Sequence, residues 1–322
     1  MASRYTLHNL RTALGRPQLF LWECHRLLST PIHRLGTHVF RRRHGDGIDV
    51  MDRDWDTLVI LDACRSDCFT AQNTIDGTFE TVISKGSNSW PFMQGNFVGK
   101  QHHDTVYVTA NPHARKLDGD EFYTIETVLD RWDDEVGTVQ PEDVVAAAIE
   151  AHEANPNKRL IVHFMQPHRP YIGQTADRLR ERVDLHGYNR VRGLDDESDD
   201  RTGMSMWDAV KSGRVTTAEL RQAYAESLDI TLDHVSELLD AIDGKTVITA
   251  DHGEMLSDRA FVFTNRLYGH PGEIRCRQLR EVPWLTVTGD ERRSITADAP
   301  VEGDRLADDL VEDRLRALGY RE

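Results

Sequence analysis

Lysine is scarce in this 322-residue chain, where only six of the 39 basic residues are lysines. Acidic residues number 54, and the formal net charge is −15 at pH 7. A chain this acidic is poorly suited to general nucleic-acid binding, which depends on Lys and Arg contacts with phosphates. Acidic, lysine-poor surfaces suit solubility at very high salt, where charges are strongly screened. We therefore expect a halophilic source, such as a halophilic archaeon; an ordinary acidic cytosolic protein is the alternative.

Paired cysteine motifs and long apolar runs are also missing. The four cysteines, Cys24, Cys64, Cys68 and Cys276, form no C-x-x-C pair, so we expect buried free thiols and no zinc ribbon. No apolar stretch approaches the roughly 20 residues that a membrane-spanning helix needs. The N-terminus lacks the continuous apolar core and small-residue cleavage site of a signal peptide. The expected location is therefore the cytoplasm.

Positive charge concentrates at the start of the chain. Residues 1–43 contain eight arginines and one acid, Glu23, so this segment has a net charge of +7. The rest of the chain therefore has a net charge of −22, which gives the total of −15. Apolar residues recur between the arginines at spacings of three and four, which predicts short amphipathic helices broken at Pro17 and Pro31. We interpret residues 1–49 as a basic helical segment. It would either dock on the anionic inner face of the membrane or pack on the acidic body of the protein, and both remain open.

Predicted strands alternate with predicted helices through residues 50–322. The strand candidates are Asp56–Leu61, Thr81–Ser84, Thr105–Thr109, Arg159–Phe164, Thr246–Ala250 and Val282–Val287. Helices are predicted over 141–154, 216–243 and 303–318, and Thr216 and Glu219 have the spacing of a capping box. The alternation predicts an α/β fold, specifically a three-layer α/β/α sandwich with a mostly parallel central sheet. The highly charged stretch 174–215 is predicted to be an insertion or lid, with a solvated disordered loop as the alternative.

Polar residues follow several of these strands where the strands end. Asp62 ends the first strand, His168 follows the fourth, and Asp251 and His252 follow the fifth, with His270 downstream. In open α/β sheets, ligands bind at the carboxyl ends of strands, so these side chains are expected to converge. Each residue alone has an ordinary explanation as a helix cap or a core histidine. Together, two carboxylates and an imidazole form a ligand set for one divalent ion: Mn²⁺, Mg²⁺, Ca²⁺ or Zn²⁺.

A candidate nucleophile lies in SKGSNSWPFM, residues 84–93. A serine at the start of a helix lies in the positive end of the helix dipole, which favours an anionic nucleophile and an anionic substrate. Ser87 and Ser89 both qualify from the sequence alone. The ordinary interpretation of this stretch is a Ser/Gly-rich loop with a helix cap.

Five ordered segments resemble the sulfatase-like branch of the alkaline phosphatase superfamily. They are LVILDACRSD, HFMQPHRPY, AYAESLDITLDHVSELLDAI, ITADHGEML, and LYGHPG with the LREVPWLTV that follows it. Together they cover about residues 54–290. The resemblance implies an alkaline phosphatase/sulfatase-like catalytic domain over residues 50–322.

The resemblance also implies roles for individual residues. Asp62, Asp251 and His252 match metal ligands of the family, and Ser89 matches its nucleophile because Ser89-Trp90-Pro91 is similar to the family's Cys/Ser/Thr-x-Pro element. An active site of this kind would use one divalent metal ion and a covalent seryl intermediate.

Further matches and departures qualify this picture. His168 and His270 match positions that contact the anionic group or donate protons, and Arg65 matches an arginine that would orient Asp62 or an oxyanion. Met93 stands where sulfatases that mature a formylglycine have arginine, so an unmodified serine is expected. Ala63 replaces the second Asp of the family's first motif, so we expect a mononuclear site. This pattern is similar to single-metal relatives such as phosphoethanolamine transferases.

The sequence therefore predicts a metal-dependent hydrolase or phosphotransferase that acts on a sulfate or phosphate ester through a serine nucleophile. Small-molecule, glycan or lipid-linked esters would be the substrates. One alternative is a catalytically inert family member that binds an anionic lipid or glycan. Another is a carboxyl-ester hydrolase with a Ser/His/Asp triad, which the lack of a G-x-S-x-G motif disfavours.

Overall fold

The computed structural model describes residues 17–183, 185, 205–289, 291–301 and 314, with side chains described from residue 29 onward. The predicted helix over 303–318 and the middle of the charged stretch 174–215 therefore lie outside the described residues. The boundary expected at residue 49 stays a prediction.

A seven-stranded sheet forms the centre of the protein. The strands of the described chain are β1 (Thr57–Asp62), β2 (Thr78–Ile83), β3 (His102–Thr109), β4 (Phe122–Thr127), β5 (Trp132–Asp133), β6 (Thr138–Val139), β7 (Arg159–Pro167), β8 (Lys245–Thr249), β9 (Met255–Arg259), β10 (Arg266–Gly269) and β11 (Glu281–Thr288). The order across the central sheet is β2-β11-β8-β1-β7-β3-β4. Every pairing among β8, β1, β7, β3 and β4 is parallel, and β11 runs antiparallel to both of its neighbours. The mostly parallel sheet is confirmed.

Helices cover the sheet. They are α1 (Pro17–His44), α2 (Ser66–Gln72), α3 (Ser89–Asn96), α4 (Pro141–Ala154), α5 (Gln174–Arg182), α6 (Met206–Lys211), α7 (Thr217–Ala241) and α8 (Arg277–Arg280). All six residues of β1 are buried, as a strand covered on both faces requires. Thr216 and Glu219 form the predicted capping box at the start of α7. The layered α/β fold predicted from the alternation is thus confirmed.

Some elements were not predicted from the sequence. Strand β4 at the sheet edge has a mixed pattern of buried and half-buried residues, which lacks the continuous apolar centre that marks the inner strands. The antiparallel hairpin of β9 and β10 was also missed, because MLSDR and RLYG show neither the alternation nor the continuous apolar run that predicts a strand. At the two ends of the charged stretch, α5 and α6 contribute to a second apolar cluster with α7, through Leu179, Ala209 and Tyr224. Those ends are therefore folded parts of the domain.

The prediction of helices broken at Pro31 was wrong. Helix α1 runs from Pro17 to His44 with Pro31 inside it. Contacts on both sides of the proline explain why the helix continues. The Ser29 hydroxyl accepts a hydrogen bond from the Asn265 backbone N–H at 3.1 Å, and Gly36 packs directly against the ring of Phe261. Tertiary packing has overridden the local preference of proline to end a helix.

Candidate metal-dependent active site

The sheet brings the predicted site residues together because β1, β7 and β8 are adjacent and parallel. Asp62 is the last residue of β1, His168 follows β7, and Asp251 follows β8 by two residues. Ala63 then turns the chain with φ of 61°, in the left-handed region. Its N–H donates to Asp251 Oδ1 at 3.1 Å and its carbonyl accepts from the Tyr224 hydroxyl at 2.8 Å. This turn ties the two strand ends to each other.

Four fully buried side chains meet at this edge: Asp62, Ser89, Asp251 and His252. His252 Nε2 lies 3.4 Å from Asp62 Oδ1, 3.5 Å from Asp251 Oδ2 and 3.4 Å from Ser89 Oγ. Ser89 Oγ also donates to Asp62 Oδ2 at 3.2 Å. The three predicted metal ligands and the predicted nucleophile are therefore in mutual contact.

The geometry distinguishes the two candidate serines. Ser89 is the first residue of α3 and points at Asp62 and His252. Ser87 Oγ donates instead to the Ile274 carbonyl at 3.0 Å, which makes it part of a loop contact. Gly272 lies so close to the helix start that an added Cβ would come 2.7 Å from Asn88 Nδ2. The segment that carries His270 therefore covers the start of α3.

His252 is oriented as a neutral ligand. Its Nδ1 lies 2.8 Å from the Gly253 carbonyl, which can only accept, so Nδ1 carries the proton and Nε2 keeps its lone pair. Burial lowers the pKa of His252, which favours this neutral state. A backbone carbonyl that fixes the tautomer in this way is the usual outer partner of a metal-binding histidine.

The two carboxylates are poorly compensated by their protein surroundings. Within the described residues, Asp62 Oδ1 and Asp251 Oδ2 accept no hydrogen bond although both are fully buried. Burial, followed by the charges of Asp251 and Glu254, raises the pKa of Asp62 well above its ordinary value. Buried carboxylates of like charge are normally paired or bind a metal. The site therefore has the charge and the open lone pairs that a cation would satisfy.

The spacing of these atoms also fits a metal. A tetrahedral ion with ligands at about 2.0–2.1 Å holds its ligand atoms about 3.4 Å apart. The distances from His252 Nε2 to Asp62 Oδ1, Asp251 Oδ2 and Ser89 Oγ are 3.4, 3.5 and 3.4 Å. Larger ions with longer bonds and more ligands can give similar spacings, so the distances do not select among the candidate ions.

Two further side chains border the site: Asn111, which the sequence reasoning did not identify, and His163, which the sequence placed on the fourth predicted strand without a role. Asn111 follows β3 and donates from Nδ2 to Asp62 Oδ2 at 2.8 Å. The same strand-end rule that identified Asp62 applies to it, since β3 is parallel to β7. His163, within β7, is held by the Tyr107 hydroxyl at 2.7 Å and places Nε2 3.8 Å from Asp251 Oδ2. Burial lowers the pKa of His163 to about 4, so it faces Asp251 as a neutral imidazole.

A second cluster, of His168, Glu254 and His270, could hold a further ion or contact the substrate. Their candidate ligand atoms lie within 4.8 Å of one another, and His270 Nδ1 is 3.4 Å from Glu254 Oε1. The His270 ring centre lies 4.8 Å from that of His252, so the two clusters adjoin. Sequence reasoning missed Glu254, although it belongs to the quoted DHGE segment. The expectation of a mononuclear site stays a prediction.

Arg65 lies in a different environment from the one expected. Its guanidinium donates to Asp67, to Asp258 at 2.6 Å and to the Glu254 carbonyl at 3.2 Å, and among the described residues it makes no contact with Asp62. It therefore holds the backbone that carries Glu254. A direct role of Arg65 at an oxyanion stays a prediction.

Comparisons with known proteins identify similar folds among solved structures only. No protein-family model matches the chain, and no curated protein matches it. The C-terminal periplasmic domain of EcEptC from Escherichia coli, in complex with Zn, matches with a TM-score of 0.44 and 14% identity over 76% of each chain. A protein in the alkaline phosphatase superfamily from Vibrio parahaemolyticus matches with a TM-score of 0.42 and 13% identity, over 82% of this chain and 65% of that one.

A third match is BT1596, a 2-O GAG sulfatase, with a TM-score of 0.40 and 12% identity over 82% of this chain and 70% of that chain. The solved structures to which this chain is similar thus include sulfatases and other members of the alkaline phosphatase superfamily, the group that its sequence motifs resemble.

Proposed function

We propose that this protein is a metal-dependent hydrolase or transferase that acts on a phosphate or sulfate ester through Ser89. The observation that carries the proposal is the buried contact of Ser89 Oγ with Asp62 and His252, beside Asp62 Oδ1 and Asp251 Oδ2, which accept no hydrogen bond within the described residues. The matched structures, which include a sulfatase, support the same reaction class. Small-molecule, glycan or lipid-linked esters are the proposed substrates.

Asp62, Asp251 and His252 would hold one divalent ion, Mn²⁺, Mg²⁺, Ca²⁺ or Zn²⁺. When bound, such an ion supplies positive charge that stabilises an alkoxide and a developing anion. The protein's own contribution is orientation. Asp62 Oδ2 accepts the hydrogen bond of the Ser89 hydroxyl at 3.2 Å and, together with Asn111, fixes its direction. Ser89 also lies at the N-terminus of α3, where the helix dipole favours negative charge.

In the proposed reaction, Ser89 Oγ gives up its proton and bonds to phosphorus or sulfur while the bond to the leaving oxygen breaks, and the leaving oxygen takes up a proton and departs as an alcohol. Water or an acceptor alcohol then displaces Ser89 from the covalent intermediate. Burial lowers the pKa of His168 far below its ordinary value, so at neutral pH it acts as a neutral imidazole. We therefore assign His168 to holding the anionic group by hydrogen bonding. His270, which lies 13% exposed at the outer side of the cluster, contacts the leaving oxygen.

Ser89→Ala and Ser87→Ala form a matched pair for the test. Turnover of aryl phosphate and aryl sulfate esters should be lost in Ser89→Ala and retained within about tenfold in Ser87→Ala, because only Ser89 faces the ligand atoms. Mass spectrometry of the quenched enzyme should find the phosphoryl or sulfuryl group on the peptide that contains Ser89. Equal turnover in both variants would contradict the assignment.

Asp251→Asn tests the metal site separately. The variant should lose both the bound metal, measured by elemental analysis of the purified protein, and turnover. Retained activity in this variant would exclude the proposed ligand set. Loss of activity with a chelator, restored by the metal, would rule out a Ser/His/Asp carboxyl-ester hydrolase. An inert binding protein would bind metal and an anionic lipid or glycan but turn over no ester.

The proposed location is the cytoplasm, with peripheral contact to the inner membrane face through residues 1–43. The net charge of +7 on that segment supports this contact. Deletion of residues 1–43 should abolish co-sedimentation with anionic vesicles, and equal sedimentation with and without the segment would refute it.

A further inference from the structure

The hairpin of β9 and β10 ends in an exposed apolar tip. Val262 is 73% exposed and Phe263 is 81% exposed. Phe263 also has φ of 66°, in the left-handed region that a bulky residue rarely adopts and that glycine or asparagine would adopt with less strain. An open depression lies beside these residues, lined by Arg259 to Phe263. Neither local conformation nor burial in the described protein explains an aromatic residue at this position.

Helix α1 is fixed to this hairpin. An added Cβ on Gly36 would lie 2.6 Å from the ring of Phe261, so the Phe261 ring packs directly on the backbone of the helix. The Asn265 N–H donates to Ser29 Oγ at 3.1 Å, and the rings of His33 and Phe261 lie 6.3 Å apart. The hairpin tip and helix α1 are therefore neighbours in the fold.

The exposed side of α1 carries basic and apolar residues together. Its exposed positions include Arg34, Leu35, His38, Val39 and Arg42, which recur at spacings of three and four and so lie along one helix face. Leu35 is 65% exposed and Val39 is 54% exposed. The opposite side packs inward, and residues 29–44 contain no acidic residue. The helix therefore presents to solvent a face that is positive and apolar.

We propose that this docking face binds an anionic lipid bilayer. It consists of Leu35 and Val39 on α1, Val262 and Phe263 at the hairpin tip, and the arginines Arg34 and Arg42. The arginines attract anionic headgroups while the apolar side chains enter the boundary between headgroups and acyl chains. Within the described residues, no helix has the length and apolarity to cross a membrane.

Charge complementarity selects the bilayer over other occupants. Residues 1–43 carry +7 and the remainder of the chain carries −22, so an anionic surface repels most of the protein and attracts this end. In a pairing of two copies through the same face, the arginines of one copy would lie against those of the other. The docking face combines arginines with aliphatic and aromatic groups. This combination suits a bilayer, whose headgroups are negatively charged and whose interior is apolar.

The docking face lies at the far end of the hairpin from the candidate active site. Glu254 immediately precedes β9 and His270 immediately follows β10, so the base of the hairpin carries two residues of the second cluster. A strand of five residues, the length of β9, spans about 15–17 Å. Bilayer docking would hold the site about that far from the lipid surface, within reach of an ester on a large lipid headgroup. This last consequence rests on the proposed ester chemistry, whereas vesicle binding extends the membrane contact proposed for residues 1–43 to the hairpin tip.

Vesicle co-sedimentation of the full-length protein tests the proposal. Phosphatidylcholine vesicles are compared with vesicles that also contain phosphatidylglycerol, at low and high KCl. Phe263→Gly should weaken binding to the anionic vesicles about tenfold or more, since it removes a large apolar group. Glycine suits the positive φ, so this variant should remain folded, as urea unfolding will show. Phe263→Leu should bind within about threefold of wild type, and Val98→Ser, at an exposed apolar position elsewhere, should bind like wild type.

The arginines have a distinct signature. Arg34→Glu combined with Arg42→Glu should weaken binding at low KCl and have little effect at high KCl, because salt screens exposed charges. Three outcomes would overturn the proposal: wild-type protein that binds no vesicle, equal binding of Phe263→Gly and wild type, or equal binding to neutral and anionic vesicles. A dimer that Phe263→Gly dissociates, without vesicle binding, would assign the face to a second copy.

Discussion

Replacing Asp62 with asparagine should have opposite effects on stability in the presence and absence of metal. The ligand atoms of Asp62 and Asp251 lie within 4.8 Å of each other in a fully buried site. Two unit charges at 4.8 Å repel by about 3.5 kcal/mol at an effective dielectric constant of about 20. Asparagine removes one charge, keeps the shape, and retains a carbonyl oxygen that can accept from Asn111. The metal-free variant should therefore be more stable than metal-free wild type at pH 8, by about 1–3 kcal/mol.

Metal should reverse this order. At a free concentration one hundred times the dissociation constant, a bound ion stabilises the folded state by about 2.7 kcal/mol. Wild-type protein should gain this stabilisation, and the variant, which has lost a ligand, should gain little. Urea unfolding, followed by circular dichroism in chelator and in excess metal at constant ionic strength, measures both differences. Asp76→Asn, a change in an exposed acidic group that belongs to no candidate metal cluster of the described residues, serves as the control and should shift stability by less than about 0.5 kcal/mol in either condition.

The pH dependence gives a further check on Asp62. The pKa of Asp62 is raised in the folded state, so the folded protein binds a proton more tightly than the unfolded chain. The resulting stabilisation is complete below the ordinary pKa of 3.8 and is lost as pH rises through the raised value. Metal-free wild type should show this loss and Asp62→Asn should not. A variant that is less stable than wild type in chelator, with an equal gain from metal, would refute the electrostatic argument.

Three other substitutions test parts of the fold around the site. Ala63→Gly should leave the unfolding free energy unchanged or raise it by up to ~1 kcal/mol, because glycine accepts the φ of 61° without strain. Ala63→Val should lower the unfolding free energy, because a β-branched residue is strained at this φ. An equal decrease in both variants would contradict this. Arg65→Met should destabilise the protein by about 3 kcal/mol by leaving Asp258, paired at 2.6 Å, without its most buried partner. Only a negligible change in urea unfolding would count against this. Burial lowers the pKa of His113 to about 3 from an ordinary value of 6.5, so stability should fall as pH falls through that interval; His113→Gln should reduce the slope by about 1.4 kcal/mol per pH unit, and an unchanged slope would exclude it.

The sequence was informative for features that depend on residues close to one another in the chain. Continuous apolar runs marked the inner strands, since a strand covered on both faces needs apolar side chains on both. The capping box marked the start of α7 because it involves residues three apart in the chain. Polar residues at strand ends predicted Asp62, Asp251 and His252, whose contact follows from parallel neighbouring strands.

The sequence was less informative where contacts join distant segments. Residue chemistry alone left Ser87 and Ser89 both open and only the family resemblance selected Ser89; in the structure Ser89 contacts Asp62 and His252, whereas Ser87 contacts Ile274, 187 residues away. The sequence predicted a break at Pro31, because the packing of α1 on the hairpin has no local signature. Glu254 is placed at the site by the hairpin of β9 and β10, and Asn111 by the neighbouring strand β3. The sequence motifs assigned a role to neither residue.

The sequence by itself determined the alternation of the inner strands with helices and three side chains, Asp62, Asp251 and His252, that could bind a metal. Those follow from periodicity and from the chemistry of individual residues, which are local properties. Only the tertiary structure decided which lone pairs face one another, as with Ala63 and Asp251, which are hydrogen-bonded across 188 residues of sequence. It also decided that Phe261 of the hairpin packs on Gly36 of α1 and that Val262 and Phe263 at the hairpin tip are exposed. Such proximities depend on strand register and on packing between elements, and no local pattern encodes them.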